Sequence, residues 1–171
     1  MAMDSFSCST QCEELCSKST VEQILAYFPR LSEGDRLVIS KMPKEAFKVF
    51  LAKEKAEDLT KKIFNKSGKD DESDAFRHFV WSALVTKELG EDKAKTFLKA
   101  HEEDSTQEKN QKEMDTQNNK QGLMFVMEKV KNRQEVEIDQ IEKEALLRLR
   151  NKKLKVLMPK LKKIPGGYYS K

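Results

Sequence analysis

Apolar residues recur along this chain at intervals of three and four, in blocks parted by short polar breaks, the pattern of successive amphipathic helices. "STVEQILAYF" opens on a Ser/Thr cap and stops before Pro29, which predicts a helix over 19–28. "SEGDRLVISKM" predicts a short helix or a turn-rich connector. "PKEAFKVFLAKEKAEDLTKKIF" starts with Pro43 at a first-turn position, and Ala46, Phe47, Phe50, Leu51, Leu59 and Phe64 fit one broad face. After the loop "NKSGKDDE", a helix is predicted over about 73–89, closed by Gly90. "EDKAKTFLKAHEE" is the next, then a polar connection "DSTQEKNQK" and a helix over "EMDTQNNKQGLMFVMEKVK". The last helix is predicted from about 135 to 157, before Pro159, with "PGGYYSK" a loose tail. No segment shows convincing strand alternation, and there is no repeat and no Gly-rich phosphate loop. The expected fold is all-α: a single compact, bundle-like helical domain with the helix over 73–89 buried at its centre.

That central helix carries the unusual chemistry. With about 100° per residue, Ala75, Phe76, Phe79, Val80, Ala83 and Leu84 span a wide apolar face. The other side holds Asp74, Arg77, His78, Trp81 and Val85, so it is not a solvent face either. Asp74, Arg77 and His78 are therefore expected to point into the interior or a cleft, where charges need partners. Asp74 and His78 are four residues apart and stack on one face, which suits a carboxylate orienting an imidazole or two ligands to one metal. Trp81 should wall the same pocket.

Two further helices turn polar residues inward. Ala94, Phe97, Leu98 and His101 share a stripe, and Glu102 follows directly. Asp115, Asn118, Asn119 and Gly122 share another. Asn is a poor mid-helix residue because its amide competes for the backbone, so an adjacent pair there suggests a use that overrides propensity. Gly122 would allow another helix backbone, or a ligand, to approach closely. A set of buried titratable groups that includes both histidines of the chain is more than a register-fixing network usually shows.

The blocks "DAFRHFVWSALVTKELG", "AHE" and "MDTQNNKQG" resemble a bacterial domain family of unassigned function whose pattern is D-A-F-R-H-x-x-W, then A-H-E, then M-D-x-x-N-N-x-x-G. The resemblance covers Asp74 to about Gly122. That family is associated with C-terminal modules of secreted, wall-associated and polymorphic-toxin proteins. The resemblance thus implies a toxin-like or envelope-directed setting, secretion or delivery to a target cell envelope, and a cognate immunity protein as a partner. It supplies no reaction.

Composition trims the alternatives. Of 171 residues, 36% are charged and 37% hydrophobic, and the periodic clustering of the latter argues for a folded core rather than disorder. No run of about 18 apolar residues predicts a transmembrane helix, and no signal peptide is visible. From Ile141 onwards ten Lys/Arg face two Glu, a net of +8 within an overall +4, which leaves −4 elsewhere. Such a charge run is usually a solvated face, and without aromatic interleaving or a helix-turn-helix signature nucleic acid is an unlikely partner. Cys8, Cys12 and Cys16 share one stripe if their segment is helical; an odd count argues against a closed intrachain disulfide framework, no His sits near them to complete a zinc site, and they are expected to pack as small apolar residues, with a disulfide or intermolecular pairing as the alternative. The chain divides into an N-terminal Cys-containing segment (1–18), a helical domain (19–158) with the motif core at 74–122, and a basic tail (159–171).

The chemistry these residues suit best is hydrolysis by an activated water, since no Ser or Cys sits in a recognisable nucleophile motif. His78 is the expected general base, Asp74 its orienting partner, and Arg77 the group that binds a phosphate or an oxyanion. His101, Glu102 and Asp115 complete the site, with or without a divalent metal, and Asn118 and Asn119 donate to substrate. The expected substrate is a phosphate- or acyl-containing lipid or cell-wall component. The alternative is a non-enzymatic binding or inhibitor module held together by the same buried polar network. The two differ in one observable: an enzyme needs both histidines open to one cleft, and a structural network should be sealed.

Overall fold

Asp71 and the loop before it decide where the central helix starts. The Asp71 carboxylate accepts hydrogen bonds from the backbone N–H groups of Ser73 (2.9 Å) and Asp74 (3.2 Å), capping a helix that runs Glu72–Leu89 and ends at Gly90. The computed structural model describes residue 31, residues 33–103 and 108–158, and the short stretches 162–163 and 169–170. Among them are α1 (Glu33–Lys41), α2 (Pro43–Phe64), α3 (Glu72–Leu89), α4 (Glu91–Glu103), α5 (Lys109–Lys131) and α6 (Ile138–Arg150). The fold is all-α, as expected, apart from a two-residue antiparallel pair, β1 (Lys162–Lys163) with β2 (Tyr169–Ser170), in the region read as strandless. The expected helix over 19–28 and the cysteine stripe lie outside the described residues. No helix among the described residues is long and apolar enough to cross a membrane.

α3 is the axis. It packs against α5, α2, α6 and α4, while α1 packs on α4 and α2. Every α3 residue from Glu72 to Thr86 is buried except Arg77, which is half-buried. Its side chains Phe76, Phe79, Val80 and Val85 form the core with Ile63 and Phe64 of α2, Met114 and Val126 of α5, and Ile141 of α6. α5 comes close to α3 at Gly122: a Cβ there would lie 2.2 Å from the Phe79 carbonyl oxygen and 2.4 Å from Ser82 Oγ. Ser82 Oγ in turn donates to the Asn119 carbonyl (2.5 Å). The partner that Gly122 admits is thus the α3 backbone.

Three expectations need correction. On α2 the buried stripe is Ala46, Ala52, Ala56, Leu59, Thr60, Ile63 and Phe64, whereas Phe47 and Leu51 are exposed. Alanines rather than phenylalanines let α2 approach its neighbours, so large apolar residues misled the choice of face. α5 starts at Lys109, earlier than predicted, because Glu108 and Gln111 make a capping box. α6 ends at Arg150, not near 157: Lys152 adopts φ 56°, and the chain leaves the helix.

The segment after α6 is held by side chains and backbone of the core helices and their loops. Asn118 Nδ2 donates to the Lys155 carbonyl (2.9 Å) and Asn118 Oδ1 accepts from the Lys155 N–H (2.9 Å), so one amide reads both backbone groups. The N–H groups of Leu157 and Met158 donate to the Asp70 carbonyl. Asn118→Ala should strand both Lys155 groups, at about 1–3 kcal/mol each, and speed hydrogen exchange at residues 155–158 ahead of global unfolding. Unchanged protection there would show that the Asp70 contacts suffice.

Candidate active site

The loop between α2 and α3 builds one side of the site. Asp70, at φ 64°, turns the chain so that its N–H donates to Asp74 Oδ2 (2.6 Å). The other oxygen, Oδ1, accepts from Arg77 Nη2 (2.5 Å). Arg77 Nη1 donates to Ser67 Oγ (2.6 Å) and the Gly68 carbonyl (3.1 Å), and Ser67 Oγ donates to Glu57 (2.8 Å). Asp74 is therefore fixed at both oxygens. Burial pushes its carboxyl upward, but the hydrogen bond and charge of His78, then Arg77, outweigh that and hold it below the usual carboxylate range.

His78 lies one turn further along α3. Its Nε2 is 3.4 Å from Asp74 Oδ1 and 3.3 Å from Asp115 Oδ1 of α5. Its Nδ1 is 3.2 Å from Asn119 Oδ1, and Asn119 Nδ2 donates to Glu102 Oε1 (2.8 Å) on α4. That last bond turns the amide oxygen towards the ring. A carbonyl oxygen can only accept, so Nδ1 carries a hydrogen. A bare lone pair on Nε2 aimed at two buried carboxylates would be repelled, so a proton or another cation belongs between them. With a proton there, His78 is an imidazolium: burial pushes its pKa down, but the Asp74 hydrogen bond and the charges of Asp115 and Asp74 raise it overall. In that form His78 is poised to give a proton, and it can act as the expected base only once Nε2 is cleared. Burial, the largest influence, raises Glu102.

Above this cluster is a cavity of about 160 Å³ lined by Lys53, Arg77, His78, Trp81 and His101. Trp81 stands between the two histidines, its ring edge-to-face with His101 (centroids 5.0 Å apart) and with His78 (6.4 Å). Its Nε1 is buried with no hydrogen-bond partner among the described residues. Both histidines thus open to one cavity, but they differ: the His101 side chain is 37% exposed and 3.7 Å from Asp35, and that of His78 is 11% exposed. Beyond the cluster, a larger, mainly apolar groove of about 530 Å³ between α4 and α5 reaches Glu102 and Asn119 but not His78.

Of the residues singled out from the sequence, Asp74, His78, Asp115, Asn119 and Glu102 form one connected network, with Arg77 and Trp81 at its edge. His101 faces the cavity from across Trp81. Asn118, expected to donate to substrate, is committed to the Lys155 backbone instead, and most of the Arg77 fork is taken by Asp74 and the loop. Lys53 and Asp35 were not foreseen. Lys53 interrupts the inward run Ala46, Val49, Ala56, Thr60 of α2, and a cation there was the available signal. Burial first, then Arg77, lowers its pKa. Asp35 sits in a short helix with nothing in its spacing to mark it. A metal could be held by Asp74, His78 and Asp115, whose ligand atoms all lie within 4.8 Å of one another.

This helical fold, with a buried acid–imidazole cluster beneath a cationic cavity, belongs to a defined family. Residues 36–150, more than half of the chain, match the family described as "Domain of unknown function (DUF6973)", and the chain is a member of it. No curated protein and no solved structure matches the chain.

Proposed function

We propose that this domain is a hydrolase of phosphate-bearing esters, a lipid or a cell-wall component, in which the Asp74–His78–Asp115 cluster activates a water. One observation carries the reading: His78, buried between two carboxylates, is also a wall of a cavity shared with Lys53, Arg77 and His101. The Lys53 ammonium and the Arg77 guanidinium at its rim favour an anionic group. Water attacks the phosphorus or acyl carbon, His78 gives its Nε2 proton to the leaving alcohol oxygen as the ester bond breaks, and the proton of the attacking water passes to the Nε2 so cleared. Lys53 meets the negative charge that develops, a ring N–H of His101 donates a hydrogen bond to it, and Trp81 restricts water access. The motif resemblance supports a toxin-like or envelope-directed setting, with the chain secreted or delivered to a target cell envelope.

The test is His78→Asn and Asp74→Asn, each read for activity and melting temperature together. The substrates are vesicles of anionic phospholipid and phosphate-bearing wall polymers. Loss of proton transfer should lower the rate by about 10²–10⁴-fold with the fold kept. Full activity with a lowered melting temperature would overturn the proposal and leave a scaffold, the binding-module alternative.

A further inference from the structure

We infer that Asp74 Oδ1, His78 Nε2 and Asp115 Oδ1 bind one divalent transition-metal ion of the Zn²⁺ or Mn²⁺ class, with its remaining positions open towards the cavity beside Lys53, Trp81 and His101. Bound there, the ion would take the place of the Nε2 proton and would itself activate the water, a role that rests on the hydrolase reading; as a binding site it is tested without any activity.

The spacing of the three residues suits one ion. Asp74 and His78 stand one turn apart on α3, and Asp115 is brought in by α5. Metal–ligand bonds of about 2.1 Å set a tetrahedral edge of about 3.4 Å. The two distances from Nε2, 3.4 Å to Asp74 and 3.3 Å to Asp115, already match such an edge, and one ligand atom from each of the three residues lies within 4.8 Å of the other two. The α3–α5 contact that fixes this geometry is the tight one at Gly122 and Ser82.

Ligand orientation agrees. A metal-bound imidazole commonly donates its other N–H to a carbonyl or carboxylate, which fixes the tautomer and aims the lone pair. Here Nδ1 meets Asn119 Oδ1, and Asn119 is held by Glu102. Asp74 is steadied by the Asp70 N–H and by Arg77. Arg77 uses one lone pair of Oδ1 and leaves the other for a metal. The ion's double charge matches two buried carboxylates. An imidazole in the set disfavours Mg²⁺ and Ca²⁺, which take oxygen ligands, and suits Zn²⁺ or Mn²⁺.

The experiment uses the full chain with Cys8, Cys12 and Cys16 replaced by Ser, so that thiols do not compete, freed of metal by a chelator and titrated with Zn²⁺ or Mn²⁺ alone. One ion per chain is expected, about 10–100-fold weaker in Asn119→Ala and lost in Asp115→Asn. Anomalous diffraction from crystals grown with Zn²⁺ should place a peak between the three ligand atoms, a result that stands even where a variant fails to fold. No stoichiometric binding, an anomalous peak elsewhere, or an Asp115→Asn chain that folds and binds as tightly as the parent would overturn the inference. A chain that binds the ion and hydrolyses nothing keeps the site and loses the hydrolase. A chain that hydrolyses in chelator and takes up no stoichiometric ion loses the site and keeps the hydrolase.

Discussion

Trp81→Ala is expected to lower the unfolding free energy by about 3–5 kcal/mol, the usual cost of emptying a buried large aromatic position. Trp81 is 6% exposed in the helix around which the core elements pack, so little can collapse into the space it leaves. Trp81→Phe should differ sharply. The indole N–H is buried with no acceptor among the described residues, and removing it relieves a desolvation penalty of about 1–3 kcal/mol, which offsets much of the lost volume. Urea denaturation of the two variants side by side reads the difference. A Trp81→Ala midpoint equal to that of the parent chain would show that α3 is not the axis of the fold.

Gly122→Leu should be still more damaging and leave little folded domain. Leucine is a far better helix former than glycine, by about 1 kcal/mol, so propensity alone predicts stabilisation. Sterics oppose it. The first added atom already meets the Phe79 carbonyl at 2.2 Å, and that atom belongs to a backbone that cannot swing aside. α3 and α5 would have to separate, at a cost above about 3 kcal/mol, the upper end of ordinary overpacking. Gly122→Ala should show the same sign at smaller size. A raised melting temperature in either variant would mean that the helices do not meet there.

Much of this architecture is legible in the chain because its central helix breaks the usual rule. A helix with Trp81 and Val85 opposite Phe76 and Phe79 has no side for water, and it is buried as that pattern requires. The same reasoning places Asp74 and His78 inside, with Asp115 and Asn119 facing them from a stripe that ends in Gly122. The misses have physical causes. Phe47 and Leu51 drew attention by size, yet the seam of α2 is built largely from small residues that let backbones approach. Asn118 and Asn119 are neighbours in sequence, but about 100° apart around the helix, so one reaches the site and the other the segment after α6. No local pattern announces that segment, because its hydrogen bonds go to the Asn118 side chain and to the Asp70 carbonyl.

The central claim is that the Asp74–His78–Asp115 cluster activates water against an anionic ester. It is tested most directly by incubating the chain and Asp115→Asn in ¹⁸O-labelled water with anionic phospholipid vesicles and phosphate-bearing wall polymer, and weighing the products by mass spectrometry. A hydrolysis product carrying one oxygen from the labelled water is expected, formed at least about 100-fold more slowly by a folded Asp115→Asn chain. Equal incorporation by both chains, or none by the folded parent chain, would contradict it.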